Sequence, residues 1–305
     1  MGHPKRQHYV PRFLLRSFAP AGTEQVHVYD KSNDRTFRTN ITNVAAETGF
    51  YDFQIGDEVF SIESRLCDME DAAAPILRRV AAEQSLTSLT EPEFATVARF
   101  IAAQIMRTPR LIEQSDRMAE QMRQRLRERG HDPDMVPQLQ PLTPDQKRQL
   151  SAAWIHDSAA FVPLLLDKLW MLALSEGKPW SYISDNPVVL HNSRKFGPLG
   201  NLGLAVPGIE VHLPIAASLS LGLYCRSLFE DMPGAGDGTL QRLSRAACNQ
   251  GRAVMVQPEN VVFLNSLQVA FSSRFVFSRD GDFGLVREML AEHPRLRIGH
   301  GSELA

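Results

Sequence analysis

An unbroken stripe of apolar residues at helical spacing runs through residues 62–80. Its members follow one another at steps of three and four: Ile62, Leu66, Met69, Ala73, Leu77 and Val80. This spacing predicts a long amphipathic helix, which has to bury its apolar face against other elements. Capping-type starts at Thr90 and Thr143 predict two further helices, one ending near Pro109 and one running to about Gly177.

Shorter segments of the chain alternate apolar and polar residues. Residues 24–30 and 35–41 alternate around the turn-forming Lys31–Asp34 and predict a hairpin. Residues 209–213, 219–225 and 274–278 predict further strands. The expected fold is therefore α+β, predominantly helical, with a small and mainly antiparallel sheet.

The longest apolar run, residues 159–174, is interrupted by Pro163 and by the charged pair Asp167 and Lys168. It is too short and too interrupted to span a bilayer, so we expect a buried helix and no membrane contact. The formal net charge of -2 excludes a general attraction to nucleic acid or to anionic membranes. Any such contact has to come from a local patch.

The three cysteines, Cys67, Cys225 and Cys248, are far apart and share no Cys-x-x-Cys spacing. This pattern argues against a disulfide framework and against a thiolate zinc site, and it suits a reducing cytoplasm. Residues 130–142 hold three prolines and little periodicity. The 305 residues therefore form either one domain or two closely packed halves, 1–130 and 143–305, joined by that linker.

His8 precedes a strongly apolar segment that Pro11 starts. The predicted short helix ends near Phe18, so the imidazole lies where the chain enters the core. His8 is either a reactive group or a hydrogen-bonded structural residue, because every buried polar group needs a partner.

Other polar residues are set into apolar surroundings. Glu63 and Glu70 are two helical turns apart, and such acids are metal ligands, general bases or partners of arginine. Asp185 lies in the segment Ser184–Pro187 between two strand-forming runs, where it either presents a reactive group or forms a turn with its own backbone. Asn265 and Gln268, on a largely apolar helix, predict a buried hydrogen-bond network.

Four motifs together resemble a bacterial family known as domain of unknown function 4238. They are the opening Gln7–Leu14, the helix carrying Ile62–Glu63 and Met69–Glu70, the segment Gln104–Pro109, and Ser184–Pro187. The resemblance covers nearly the whole chain. It implies which positions belong to the family's motifs, and it implies no activity.

Our first hypothesis is an enzyme whose pocket gathers His8, Glu70, Gln104, Arg107 and Asp185. As a metal-dependent hydrolase, it would hold a divalent ion with His8, Glu70 and Asp185. Arg107 would neutralise a developing negative charge and Gln104 would orient the substrate. Metal-free acid–base catalysis by His8 with Asp185 is equally compatible with the sequence. The substrate class stays open between a small molecule, a peptide and a nucleotide.

A second hypothesis is a non-catalytic module that binds nucleic acid or a peptide in a host-defence or mobile-element setting. It predicts one exposed groove between the arginine-rich residues 117–129 and the loop 191–208. The acids interspersed among those arginines favour a solvated helix face instead. In a third hypothesis the polar residues only specify the fold.

Overall fold

The structure is a computed structural model that describes residues 6–194, 201–230 and 250–298. These ranges contain nine α-helices. They are α1 (Arg12–Arg16), α2 (Glu63–Glu83), α3 (Glu91–Met106), α4 (Pro109–Glu128), α5 (Pro144–Asp157), α6 (Val162–Leu166), α7 (Ser227–Glu230), α8 (Pro258–Phe271) and α9 (Gly284–Glu292). None of them combines the length and the apolar content needed to cross a membrane.

Thirteen β-strands lie in the same ranges. They are β1 (Arg6–His8), β2 (Gln25–Asp30), β3 (Arg35–Asn40), β4 (Ala46–Thr48), β5 (Asp52–Ile55), β6 (Glu58–Ser61), β7 (Leu169–Leu174), β8 (Ile183–Ser184), β9 (Val189–His191), β10 (Glu210–Ala216), β11 (Leu219–Tyr224), β12 (Val254–Met255) and β13 (Phe275–Ser278).

The strands form four sheets within the described ranges. A five-stranded sheet has the order β12-β7-β11-β10-β9, a four-stranded sheet has the order β3-β2-β13-β8, and β1-β4 and β5-β6 are two-stranded ribbons. Only β12 and β7 pair in parallel among them. The fold is thus of the expected mixed α+β type and its sheets are mainly antiparallel, but the expectation of a small sheet is wrong.

The strand β7 explains much of that error. The sequence predicted one helix from Thr143 to about Gly177, whereas α5 ends at Asp157 and β7 pairs with β11 over its whole length. A short apolar run fits a buried strand as well as a buried helix, and only its pairing decides between them. The segment 46–55, for which the sequence predicted no strand, supplies β4 and β5.

The expected helix boundaries elsewhere agree with the structure. Thr90 and Glu93 form the capping box of α3, and Thr143 and Gln146 form that of α5. The main apolar core joins α1, α2 and α3 to β2 and to the five-stranded sheet. The segment 130–142 contains two 3₁₀ turns that contact α4, and its role as a linker stays a prediction.

Candidate functional site

The break between α3 and α4 positions the polar residues of the third motif. α3 ends at Met106, Arg107 and Thr108 form the corner, and Pro109 begins α4. Proline has no N–H for the α3 hydrogen-bond ladder, and its ring clashes with the preceding turn, so Pro109 favours the break between the two helices at this point. The break turns Arg107 toward the N-terminal strand and Thr108 toward the segment Ser184–Pro187.

Arg107 is almost completely buried, with 1% of its surface exposed. Its Nε donates to the carbonyl oxygen of Tyr9 at 3.0 Å. Its Nη2 donates to the carbonyl oxygen of His8 at 3.0 Å and to Glu70 Oε1 at 2.7 Å. The guanidinium therefore ties β1 to α2, and Glu70 acts as the partner of an arginine.

Gln104 supports the same strand. Its Nε2 donates to the carbonyl oxygen of Tyr9 at 2.9 Å, while its Oε1 is buried without a hydrogen-bond partner. Four of the five predicted site residues, His8, Glu70, Gln104 and Arg107, are thus brought together. The side chains of Gln104 and Arg107 face backbone carbonyl groups, and their predicted catalytic roles stay predictions.

His8 is half-buried beside Arg107. Burial lowers the pKa of the imidazole, and the charges of Arg12 and Arg6 lower it further, against a backbone contact from Ile41 that raises it. These effects together favour the neutral form of the ring. Its Nε2 atom is buried and has no hydrogen-bond partner.

Glu63 lies on the first turn of α2, close to the same cluster. Burial raises the pKa of its carboxyl to about 7, with Glu70 and Asp52 adding to the increase and Arg107 opposing it. This carboxyl gains or loses its proton around neutral pH. The sequence offered it only as one member of an acidic pair.

Asp185 lies in a different environment. Its carboxylate accepts hydrogen bonds from the backbone N–H groups of Ser273, Arg274 and Phe275, at 2.8, 2.6 and 2.7 Å. Burial raises the pKa of Asp185, and these bonds together with Lys31 lower it only in part. The carboxylate holds the start of β13 against the end of β8, and it does not hydrogen-bond His8.

The metal centre predicted from His8, Glu70 and Asp185 receives no support from the structure. Among residues 6–194, 201–230 and 250–298, no group of three or more histidine, cysteine, aspartate or glutamate side chains is arranged to hold an ion. Glu70 pairs with Arg107, and Asp185 faces three backbone donors. His8, Glu70 and Asp185 are therefore not arranged as a set of metal ligands, and both carboxylates have other partners.

A cavity of about 480 Å³ lies on the other side of the α3–α4 corner. We call it the Thr108–Asn186 cavity, because Thr108 Oγ1 donates to Asn186 Oδ1 at 2.8 Å in its wall. Its apolar lining includes Ile105, Met118, Trp154, Phe161, Val188 and Leu204. Its polar lining comprises Thr108, Arg110, Gln114, Ser115 and Asn186.

The Asn186 side of the wall is held by the hydrogen-bond network predicted for α8. Ser184 Oγ donates to Gln268 Oε1 at 2.8 Å and receives the Asn186 N–H at 3.2 Å. Gln268 Nε2 donates to the carbonyl oxygen of Pro187 at 3.0 Å, and Asn265 receives the N–H of Tyr182 at 2.7 Å. The segment is therefore fixed before any ligand arrives.

Arg110 is the one charged residue among the described residues that line the cavity. It is 5% exposed, and its guanidinium stacks over the ring of Phe271 at 4.7 Å from the centroid. Burial and the charge of Arg117 lower the pKa of Arg110 to about 10, so it is cationic at neutral pH. The sequence reasoning missed this residue, although it directly follows a recognised motif.

The arginine-rich part of α4 forms ion pairs within the chain. Arg123 lies 2.8 Å from Asp134 and 3.4 Å from Glu120, and Arg127 lies 3.0 Å from Glu120. The expected groove between these arginines and the loop 191–208 falls partly on residues 195–200, outside the described ranges. The described loop residues 202–204 instead line the Thr108–Asn186 cavity together with the start of α4.

A protein-family model described as Protein of unknown function (DUF4238) matches residues 6–282. This match includes all four motifs and every residue of the cavity wall. No curated protein and no solved structure matches the chain.

Proposed function

The chain belongs to the family of proteins of unknown function DUF4238. We propose that it binds a small, largely apolar molecule in the Thr108–Asn186 cavity. The observation that carries the proposal is the wall itself. Two separate family motifs supply Thr108 and Asn186, and their 2.8 Å hydrogen bond closes one side of the cavity.

The size and lining of the cavity support this function. Small-molecule sites are commonly on the order of 300–1,000 Å³, mainly apolar, with a few convergent polar groups. The Thr108–Asn186 cavity has about 480 Å³ and five polar residues in such a setting. An apolar ligand gains roughly 25 cal/mol for each Å² of apolar surface that it removes from water.

Trp154 provides a direct test, because its indole lines the cavity. In a Trp170→Phe/Trp180→Phe background it is the single tryptophan of the chain. Titration with 1-octanol should change its fluorescence in a saturable way. Ser115→Phe, which places a ring in the cavity, should abolish the response, whereas Gln121→Phe on the exposed side of α4 should retain it. A response that does not saturate, or that Ser115→Phe leaves unchanged, would contradict the proposal.

A second candidate is metal-independent acid–base hydrolysis by His8, and the unpartnered Nε2 of a neutral imidazole favours it. A His8→Gln variant should lose hydrolysis of p-nitrophenyl esters while keeping its urea midpoint. Equal rates in the two proteins would eliminate this candidate.

The nucleic-acid alternative receives less support, because Arg123 and Arg127 are paired with acids of the same chain.

We propose a cytoplasmic location for either function. Cys67 and Cys225 are free thiols, as a reducing compartment would keep them.

A further inference from the structure

We infer that a second cavity of this protein binds a small phosphomonoester that carries a compact apolar group. The cavity has a volume of about 310 Å³ and lies where α2, α3 and α5 meet. We call it the Arg65–Arg99 cavity, because these two arginines line it together with His156. It shares no described lining residue with the Thr108–Asn186 cavity, so the inference goes beyond the proposed function.

Three helices bring basic side chains to the Arg65–Arg99 cavity. Arg65 lies in the first turn of α2, Arg99 in the middle of α3, and His156 near the end of α5. All three residues are exposed to solvent as well as lining the cavity. A dissolved anion can therefore reach them without any opening of the fold.

The charges of the two arginines are not neutralised by acids within the described part of the chain. The described lining contains no aspartate or glutamate, and no described acid forms an ion pair with Arg65 or Arg99. The same two helices do form such a pair elsewhere, between Arg79 and Glu93 at 2.6 Å. The cavity is therefore a positively charged site, and it attracts anions.

The contact between Arg65 and His156 adds a hydrogen-bond donor. Arg65 Nη1 lies 3.4 Å from Nδ1 of His156. A guanidinium nitrogen can only donate, so Nδ1 is the acceptor in this contact and the ring proton is on Nε2. The imidazole therefore contributes an N–H donor beside the two guanidinium groups.

The remaining lining of the cavity is mainly apolar. The hydroxyl of Ser158, its one uncharged polar side chain among the described residues, donates to the carbonyl oxygen of Ile155 at 2.6 Å. The apolar side chains are those of Ile62, Leu66, Met69, Ala152, Ile155 and Ala159. An apolar group that covers this surface is itself removed from water, which favours binding. The lining therefore selects an anion with an apolar substituent over a free inorganic ion.

A phosphomonoester matches this arrangement better than other anions do. A phosphomonoester carries a charge of about -1.5 to -2 near neutral pH, and its three terminal oxygens accept hydrogen bonds from several directions. A carboxylate is planar, and a single arginine occupies both of its oxygens. Donors from three helices therefore favour the phosphate. The volume of about 310 Å³ is near the lower limit of small-molecule sites, so the ester group has to be compact.

Isothermal titration calorimetry with phenyl phosphate tests this site in the full chain. We expect saturable binding of one phenyl phosphate per chain, and binding of benzoate and of inorganic phosphate weaker by about tenfold, because each lacks one of the two recognised features. Arg65→Met and Arg99→Met should each weaken binding of phenyl phosphate by about fivefold or more. Arg78→Met, at an exposed position of α2 outside the cavity, should leave it unchanged.

Two further pairs of variants locate the bound molecule. Ala159→Phe places a ring in the Arg65–Arg99 cavity and should abolish binding, whereas Ala160→Phe, at the next exposed position, should retain it. Ser115→Phe, which fills the Thr108–Asn186 cavity, should also retain it. Loss of binding in Ser115→Phe alone would place phenyl phosphate in the other cavity and overturn this inference, while leaving the proposed function standing.

Other results would also overturn the inference. They are an absence of saturable binding, equal affinities for phenyl phosphate and benzoate, or an affinity that both Arg65→Met and Arg99→Met leave unchanged. The comparison of ligands uses the chain with both arginines in place, so it decides the question even if a variant does not fold. The proposed function is tested separately, because 1-octanol binding is measured by Trp154, which lines only the Thr108–Asn186 cavity of the two.

Discussion

Replacing Arg107 by methionine tests whether this side chain holds the N-terminal strand in place. The change keeps an apolar chain of moderate length and removes three hydrogen bonds, to Tyr9, His8 and Glu70. Two of these acceptors are carbonyl groups of the segment 6–10, so we expect this segment to lose its protection from amide hydrogen exchange before the rest of the protein does.

The expected loss in the free energy of unfolding follows from the burial of Arg107 and from the contacts that Tyr9 and Glu70 keep in the variant. Breaking a buried ion pair by removing one side typically lowers the free energy of unfolding by about 3–5 kcal/mol. The Tyr9 carbonyl keeps its hydrogen bond from the amide of Gln104. The Glu70 side chain is 22% exposed, so its carboxylate can be hydrated by solvent. We therefore expect the lower value, about 3 kcal/mol. With an m-value of about 3 kcal/mol per M, the urea midpoint falls by about 1 M.

Arg127→Met is the matched control, because it removes an arginine from an exposed ion pair. Arg127 and Glu120 are 44% and 62% exposed, and pairs of this kind contribute at most about 1 kcal/mol. Unfolding is followed by circular dichroism and by tryptophan fluorescence, which should coincide if the transition is two-state. Equal urea midpoints for the two variants, with unchanged exchange in residues 6–10, would refute the reasoning.

Three further predictions concern the neighbouring polar groups, and each is measured by urea denaturation. Because burial raises the folded-state pKa of Glu63 from 4.5 to about 7, its contribution to stability is fully present below about pH 4.5 and is lost as the pH rises to about 7. Glu63→Gln should therefore gain stability relative to the parent over that range, and a pH-independent difference would contradict this. Asp185→Ala should lower the free energy of unfolding by at least about 3 kcal/mol, because it leaves three backbone N–H groups without an acceptor, and Asp185→Asn should lower it less. Gln104→Met should change it by less than about 1 kcal/mol, since Arg107 still serves the Tyr9 carbonyl and the unpaired Oε1 is removed; a loss above 2 kcal/mol would show that the amide is needed.

Local signals in the sequence predicted much of the fold. Two capping boxes, the stripe over 62–80 and the hairpin of β2 and β3 depend on neighbouring residues, and all four are present. The strand β7 could not be predicted in this way, because its assignment depends on pairing with β11 some 50 residues away. The extent of the sheets was underestimated for the same reason.

The candidate site, too, depends on contacts between distant segments that the sequence does not predict. The motifs identified His8, Glu70, Gln104, Arg107 and Asp185 as unusual polar residues, and the structure buries or pairs most of them. The sequence does not reveal that the partners of Arg107 include backbone carbonyls, or that those of Asp185 are the N–H groups of residues 273–275. Backbone groups exist at every position, so only the folded chain shows which of them meet a given side chain. A set of metal ligands inferred from residue types alone could not take these competing hydrogen-bond partners into account.

The clamp by Arg107 also determines when the beginning of the chain can reach its final place during synthesis. The carbonyl of His8 and the guanidinium that binds it are separated by 99 residues. At a translation rate of about 5–20 residues per second, Arg107 is synthesised roughly 5–20 s after the first strand. Until then the strand's apolar neighbours, Val10, Leu14 and Phe18, lack the part of their core that α3 supplies, and a chaperone that recognises apolar segments would have time to bind.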